Sequence, residues 1–153
     1  MGTRAVYVFK EESRSFCVYK HWDNYPEGAA GFLTNTIDNA WPLPRYEADE
    51  FAAAFIAANK RGGGDCRYTD KPESHADIEY VYEVLQAKNG QLIVHAYSVN
   101  FWGDEPKYEE LFYGRMKDFV AKFGHIDGGI KPIGYRISPR PVSLHFRVEY
   151  ATL

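Results

Sequence analysis

The sequence predicts an α+β fold, a single domain over 1–153 in which an antiparallel sheet built from hairpins carries about three helices on its apolar face. Three observations predict it. Two β-rich pairs of runs flank short polar turns, three segments repeat apolar residues at helical spacing, and hairpins require antiparallel pairing. A chain of 153 residues, 45% of them hydrophobic, buries a core without disulfide or metal support.

The elements follow in order. Ala5–Lys10 and Ser15–His21 are rich in Val, Tyr and Phe, and Glu11–Arg14 between them forms a polar hairpin loop. Asp23-Asn24-Tyr25-Pro26 then supplies turn residues. From Gly28 to Ala40, Phe32, Leu33 and Ile37 recur at helical spacing, and Pro42 ends the helix. Glu47–Lys60 is alanine-rich with Phe51, Phe55 and Ala58 on one face, and Gly62-Gly63-Gly64 stops it.

Asn89-Gly90 sits between β-rich runs over Asp77–Val99, a strong hairpin signal. A two-residue loop there places Tyr82 opposite Tyr97, Val84 opposite His95 and Tyr80 opposite Val99. Ile78, Tyr80, Tyr82, Val84, Ile93, His95, Tyr97 and Val99 then share one greasy face. A third helix is expected over Glu105–Phe123, capped by Asp104 and closed by Gly124. Tyr108, Leu111, Phe112, Met116, Phe119 and Phe123 form its apolar stripe. A last strand is expected over Val142–Tyr150, flanked by Pro139 and Pro141.

Charge and composition narrow the function classes. The net charge is −3 and Lys60-Arg61 is the longest basic run, which speaks against nucleic acid as a partner, although Arg136, Arg140 and Arg147 could gather locally. No apolar run reaches the length of a membrane span, and the opening residues lack the apolar core of a secretory signal. Val6 stands where a myristoylation motif wants Ser or Thr. Cys17 and Cys66 are too few for a disulfide framework. The expectation is a reducing cytoplasm, free thiols and no cofactor.

The richest candidate stretch is Tyr19–Gly28. On an extended strand His21 and Asp23 share a face, and a carboxylate beside an imidazole holds its tautomer as a general base needs. Glu27 would add another acid. His21, Asp23 and Glu27 are thus the catalytic candidates for a small hydrolase or metal-dependent enzyme, with His75 or Asp77 approaching from the other hairpin, and at least three of these must converge in one concave site. The bland reading is a strand-to-helix corner in which every residue type has a turn reason to be present, and it is the weightier of the two. His75-x-Asp77-x-Glu79 offers nitrogen and carboxylate donors, but alternate strand residues lie roughly 6.6 Å apart, so a metal would need a second element. A solvated strand edge is the simpler reading of those three.

The glycines before Asp65-Cys66 lack the Lys-Ser/Thr of a phosphate loop. Arg67 beside Cys66 is a weak activating signal. The tyrosines of the 77–99 ribbon would suit base stacking, but burial beneath a helix suits them better, because an apolar sheet face and an apolar helix stripe each need a cover. His125 fits the negative end of the preceding helix.

The string His21-Trp22-Asp23-Asn24-Tyr25-Pro26-Glu27-Gly28 resembles a His-x-Asp-Gly-Tyr-Pro-x-Gly string of bacterial and phage proteins that has no assigned activity. Asn24 stands where that string has glycine. The resemblance covers about ten residues, and Asp77–Tyr80 with its strand matches more loosely; it implies an accessory or phage-derived protein, with no catalysis attached. With no specific catalytic signature present, the leading expectation is a non-catalytic protein-binding or self-associating protein. Its candidate contact residues are Trp22, Tyr25, Trp41 and Trp102, whose rings suit protein contacts.

Overall fold

The computed structural model describes residues 2–124. Within them the chain runs β1 (Ala5–Lys10), β2 (Ser15–Lys20), α1 (Pro26–Asn39), α2 (Ala48–Asn59), β3 (Cys66–Thr69), β4 (Tyr80–Gln86), β5 (Leu92–Asn100), β6 (Lys107–Arg115) and α3 (Met116–Phe123). The strands form one six-stranded sheet in the order β3-β2-β1-β4-β5-β6. The α+β class holds. Its sheet is antiparallel except between β1 and β4, which run parallel and join the two hairpins.

The helices cover one face. Tyr7, Phe9, Val18, Tyr82, Val84, Val94 and Ala96 project from the sheet into a core with Phe32 and Leu33 of α1, Phe51 and Phe55 of α2, and Met116 and Phe119 of α3. Tyr7 stacks on Tyr82 of the neighbouring strand at 5.1 Å and meets Phe55 of α2 at 4.4 Å with the rings tilted, so sheet and helix layers meet through aromatic contact. β1 is buried on both faces, as a central strand should be.

The second face has its own apolar cluster of Val6, Val8, Cys17, Tyr19, Ile78 and Val81, with Tyr97, Val99 and Phe101 beside it. The β3–β4 connection contributes Ile78 to this cluster. It also lays His75 on the Tyr19 ring, with centroids 4.6 Å apart.

Two expectations fail here. The β4–β5 register differs by one residue: Tyr82 faces Ala96, Val84 faces Val94 and Tyr80 faces Ser98. The loop is Lys88-Asn89-Gly90, with Gly90 at φ +91, closed by Ala87 N–H to Gln91 O at 2.8 Å. A three-residue turn with a left-handed glycine replaces the two-residue one. Because side chains alternate, the slip moves Ile93, His95, Tyr97 and Val99 away from Tyr80, Tyr82 and Val84 onto the second face.

The helix expected over Glu105–Phe123 is half strand. Residues 107–115 pair with β5, and helix begins only at Met116. The stripe is therefore split between two elements. The turn through Gly103, at φ +114, returns the chain along β5, and ladder bonds satisfy a backbone rich in Tyr and Phe. The strand expected over Val142–Tyr150, with His125, Arg136, Arg140 and Arg147, lies outside the described residues.

Candidate interaction surface

The corner after β2 is organised by Asn24. Asp23 turns left-handed at φ 64 and directs its carboxylate to Arg61 Nη2, 2.9 Å away. Asn24, completely buried, then accepts the Tyr7 hydroxyl on Oδ1 at 2.8 Å and donates from Nδ2 to the carbonyls of Thr3, Lys20 and Trp22. Its own carbonyl accepts the Tyr82 hydroxyl at 2.6 Å. Burial pushes both phenols well above their ordinary pKa. The left-handed residue is thus Asp23, and Asn24 earns its position through hydrogen bonding. Gly28 is demanded by close approach: a Cβ there would lie 1.8 Å from the Asp23 carbonyl oxygen.

The catalytic candidates are not brought together as a trio. His21 Nδ1 lies 3.3 Å from Arg4 Nε and 3.2 Å from the Tyr19 hydroxyl, while Asp23 is engaged by Arg61. Glu27 opens α1, behind Pro26 in its first turn. The structure gathers three of the five candidates, His21, His75 and Asp77, around Tyr19. The Tyr19 hydroxyl donates to Asp77 Oδ2 at 3.0 Å, and Arg4 pairs with the same oxygen at 3.2 Å. His75 Nε2 meets Thr69 Oγ1 at 2.6 Å.

His75, Asp77 and Glu79 do not line a strand, since β4 starts at Tyr80 and Pro72–Ser74 forms a 3-10 turn. Among the described residues, no group of three or more His, Cys, Asp or Glu side chains is arranged to hold a metal ion. Lys20 and Asp65 form a fully buried ion pair at 3.0 Å, with the ammonium 4.1 Å above the Phe32 ring. Enclosed on all sides, the pair fixes β2 to the loop before β3. Cys66 beside it is driven to a pKa of about 12 by burial, with the Asp65 carboxylate adding to the effect, so Arg67 does not activate it.

The expected contact residues are dispersed. Trp22 and Trp41 are both exposed, Tyr25 is half-buried, and Trp102 is 70% exposed on the β5–β6 loop. Trp22 and Trp102 lie at the end of the sheet where β1 begins. Trp41 lies at the far end of α1, about 20 Å along the helix, with the Arg45 guanidinium 3.3 Å over its ring. These rings do not form one patch.

A tighter group lies on β6. On the second face, Tyr108 pairs with Val99, Glu110 with Tyr97 and Tyr113 with His95. Tyr108 is 41% and Tyr113 61% exposed, and the Glu110 side chain between them is 59% exposed. Behind them Glu110 Oε1 meets His95 Nε2 at 2.7 Å, and the Tyr97 hydroxyl meets His95 Nδ1 at 2.9 Å. A carboxylate at Nε2 keeps the proton there, so Nδ1 accepts from Tyr97 when the ring is neutral. Tyr113 packs edge-on to His95 at 4.8 Å, and the Tyr108 hydroxyl donates to Glu73 on the β3–β4 connection.

The result is an aromatic–acid–aromatic row braced from behind by fixed side chains. Sequence reasoning missed Glu110 and Tyr113 and assigned Tyr108 to a buried helix stripe. The available signal was the β-rich run Tyr108–Tyr113 after a glycine turn.

No protein-family model matches the chain, and no curated protein and no solved structure matches it. No helix among the described residues is long and apolar enough to cross a membrane.

Proposed function

We propose that the protein is a non-catalytic binding protein whose contact face is the outer edge of the second sheet face. Tyr108, Glu110 and Tyr113 form it, with Trp102 on the adjoining loop. The carrying observation is the exposure of three large aromatic side chains on one hairpin while their neighbours His95 and Tyr97 are pinned. Rigid aromatic rings lose little entropy on binding and bury much area, which makes them good contact anchors.

The hydrolytic alternative needs at least three of His21, Asp23, Glu27, His75 and Asp77 in one concave site. His21, His75 and Asp77 do gather around Tyr19, but Arg4 and the Tyr19 hydroxyl engage both Asp77 and His21, and His75 turns Nε2 to Thr69, which favours a structural cluster. A reducing cytoplasm suits the two free, buried cysteines. The phage-derived origin implied by the His21–Gly28 string belongs to the same reading, and the genes flanking this one test it.

Site-specific photo-crosslinking in cells that make the protein tests the contact face. A photoreactive phenylalanine analogue replaces Tyr113 or, as control, Tyr68 on β3, which is 72% exposed at the other edge of the sheet. The expected result is a discrete adduct from position 113 and none from position 68. Equal labelling at both positions, or none at either, contradicts the reading.

A further inference from the structure

We propose that β6 is a docking edge for an extended segment of a protein partner that carries arginine or lysine. The segment adds as a further strand, with one cationic side chain on Glu110 between Tyr108 and Tyr113. The inference rests on the contact-face reading and names the chemistry of its partner.

Strand geometry comes first. β6 has nine residues and, among the described residues, pairs only with β5, whereas β3 at the opposite edge has four. An edge strand of that length presents outward N–H and C=O groups that an extended chain can pair with. Side-chain chemistry selects the occupant. His95 holds Glu110 Oε1, and the 59% exposure of the side chain leaves the carboxylate open to an incoming donor. Flanking tyrosine faces attract a guanidinium or ammonium group, which the acid between them completes as a charge-assisted pair.

The middle of the strand has the same sign. Glu109 precedes Glu110, beside Ser98 on the other face, Glu73 stands at the Tyr108 hydroxyl, and Lys107 lies at the strand's start opposite Asn100. Arg115 at the strand's end is held by Asp118 at 2.8 Å, so the middle of the edge is acidic. An acidic segment would be repelled there.

Calorimetry on the full chain tests this with three synthetic peptides of alternating Thr and Val. One carries a central Arg, one a central Glu, and the third is the Arg peptide N-methylated at alternate residues. The Arg peptide is expected to bind, more weakly as salt rises, with the other two at least about tenfold weaker. Glu110→Gln should weaken the Arg peptide by about tenfold while the far-UV spectrum and melting curve stay unchanged.

Equal binding of the Arg and Glu peptides overturns the proposal, as does undiminished binding of the N-methylated one. If no peptide binds while position 113 still gives a discrete crosslink, the basic-strand inference falls and the contact face stands. If that crosslink joins two copies of this chain, a second copy is the occupant and the basic-strand inference again falls. Loss of both signals removes both readings.

Discussion

Two buried phenol hydroxyls, on Tyr7 and Tyr82, need acceptors, and Asn24 supplies one with its side chain and the other with its backbone. Asn24→Ala strips the corner of the Tyr7 acceptor and of three donated bonds. It should cost about 3 kcal/mol in urea unfolding, since buried groups left unpaired keep their full desolvation penalty. His75 carries a pH signature. Burial holds its imidazole below the ordinary 6.5 against the opposing pull of Asp77. Above that value the ring is neutral in both states; below it, the unfolded chain takes up a proton that the folded ring resists. Stability should therefore fall as pH drops from 6.5 to the lowered value of the folded ring, and then level. His75→Gln should flatten that part of the profile, measured as urea midpoints at about pH 7.5 and about pH 5. A slope unchanged by the substitution would assign the effect elsewhere.

At the scale of elements, one glycine decides which face Ile93, His95, Tyr97 and Val99 of β5 present. Gly90 at φ +91 closes a three-residue loop, and its would-be Cβ meets Pro44 Cβ at an ordinary 3.5 Å. Gly90→Ala should therefore cost only the conformational strain, about 1 kcal/mol by thermal melting; a loss several times larger would mean the loop is built differently. The sequence signal Asn89-Gly90 located the hairpin correctly but could not count its loop, because two- and three-residue turns both favour that pair. The first hairpin and the first two helices were legible within a residue or two, since turn chemistry and apolar spacing agree there. Residues 105–123 were not. Tyr108, Leu111 and Phe112 fit helical spacing as well as a bulged strand, and the bulge between Ala96 and Tyr97 breaks the simple alternation that would have distinguished them. The candidate site was hidden by that ambiguity, because Glu110 and Tyr113 gain meaning only once they share a strand face with Tyr108.

Across the molecule, the sheet separates two jobs. One face is packed against three helices, and Phe32, Phe55 and Phe119 fill it in register with Tyr7 and Tyr82. The other holds a smaller cluster around Val6 and Val81 and ends at the β6 edge in exposed rings and acids. A composition with twelve tyrosines in 153 residues suits a half-wet sheet face. It could not say that the tryptophans would scatter to opposite ends while the tyrosines aligned. The parallel β1–β4 pairing was equally invisible, since hairpin signals are local and say nothing about how hairpins join. The measurement that bears most directly on the account is the affinity of the partner captured at position 113 for the wild-type chain and for Tyr108→Ser/Tyr113→Ser. The expected result is a variant that keeps its cooperative melting transition, at a lower temperature because the Tyr108 ring packs on Tyr97 and Phe101, and an affinity at least about thirtyfold lower, the loss of roughly 2 kcal/mol that marks a contact hot spot. An unchanged affinity in a folded double variant would contradict it.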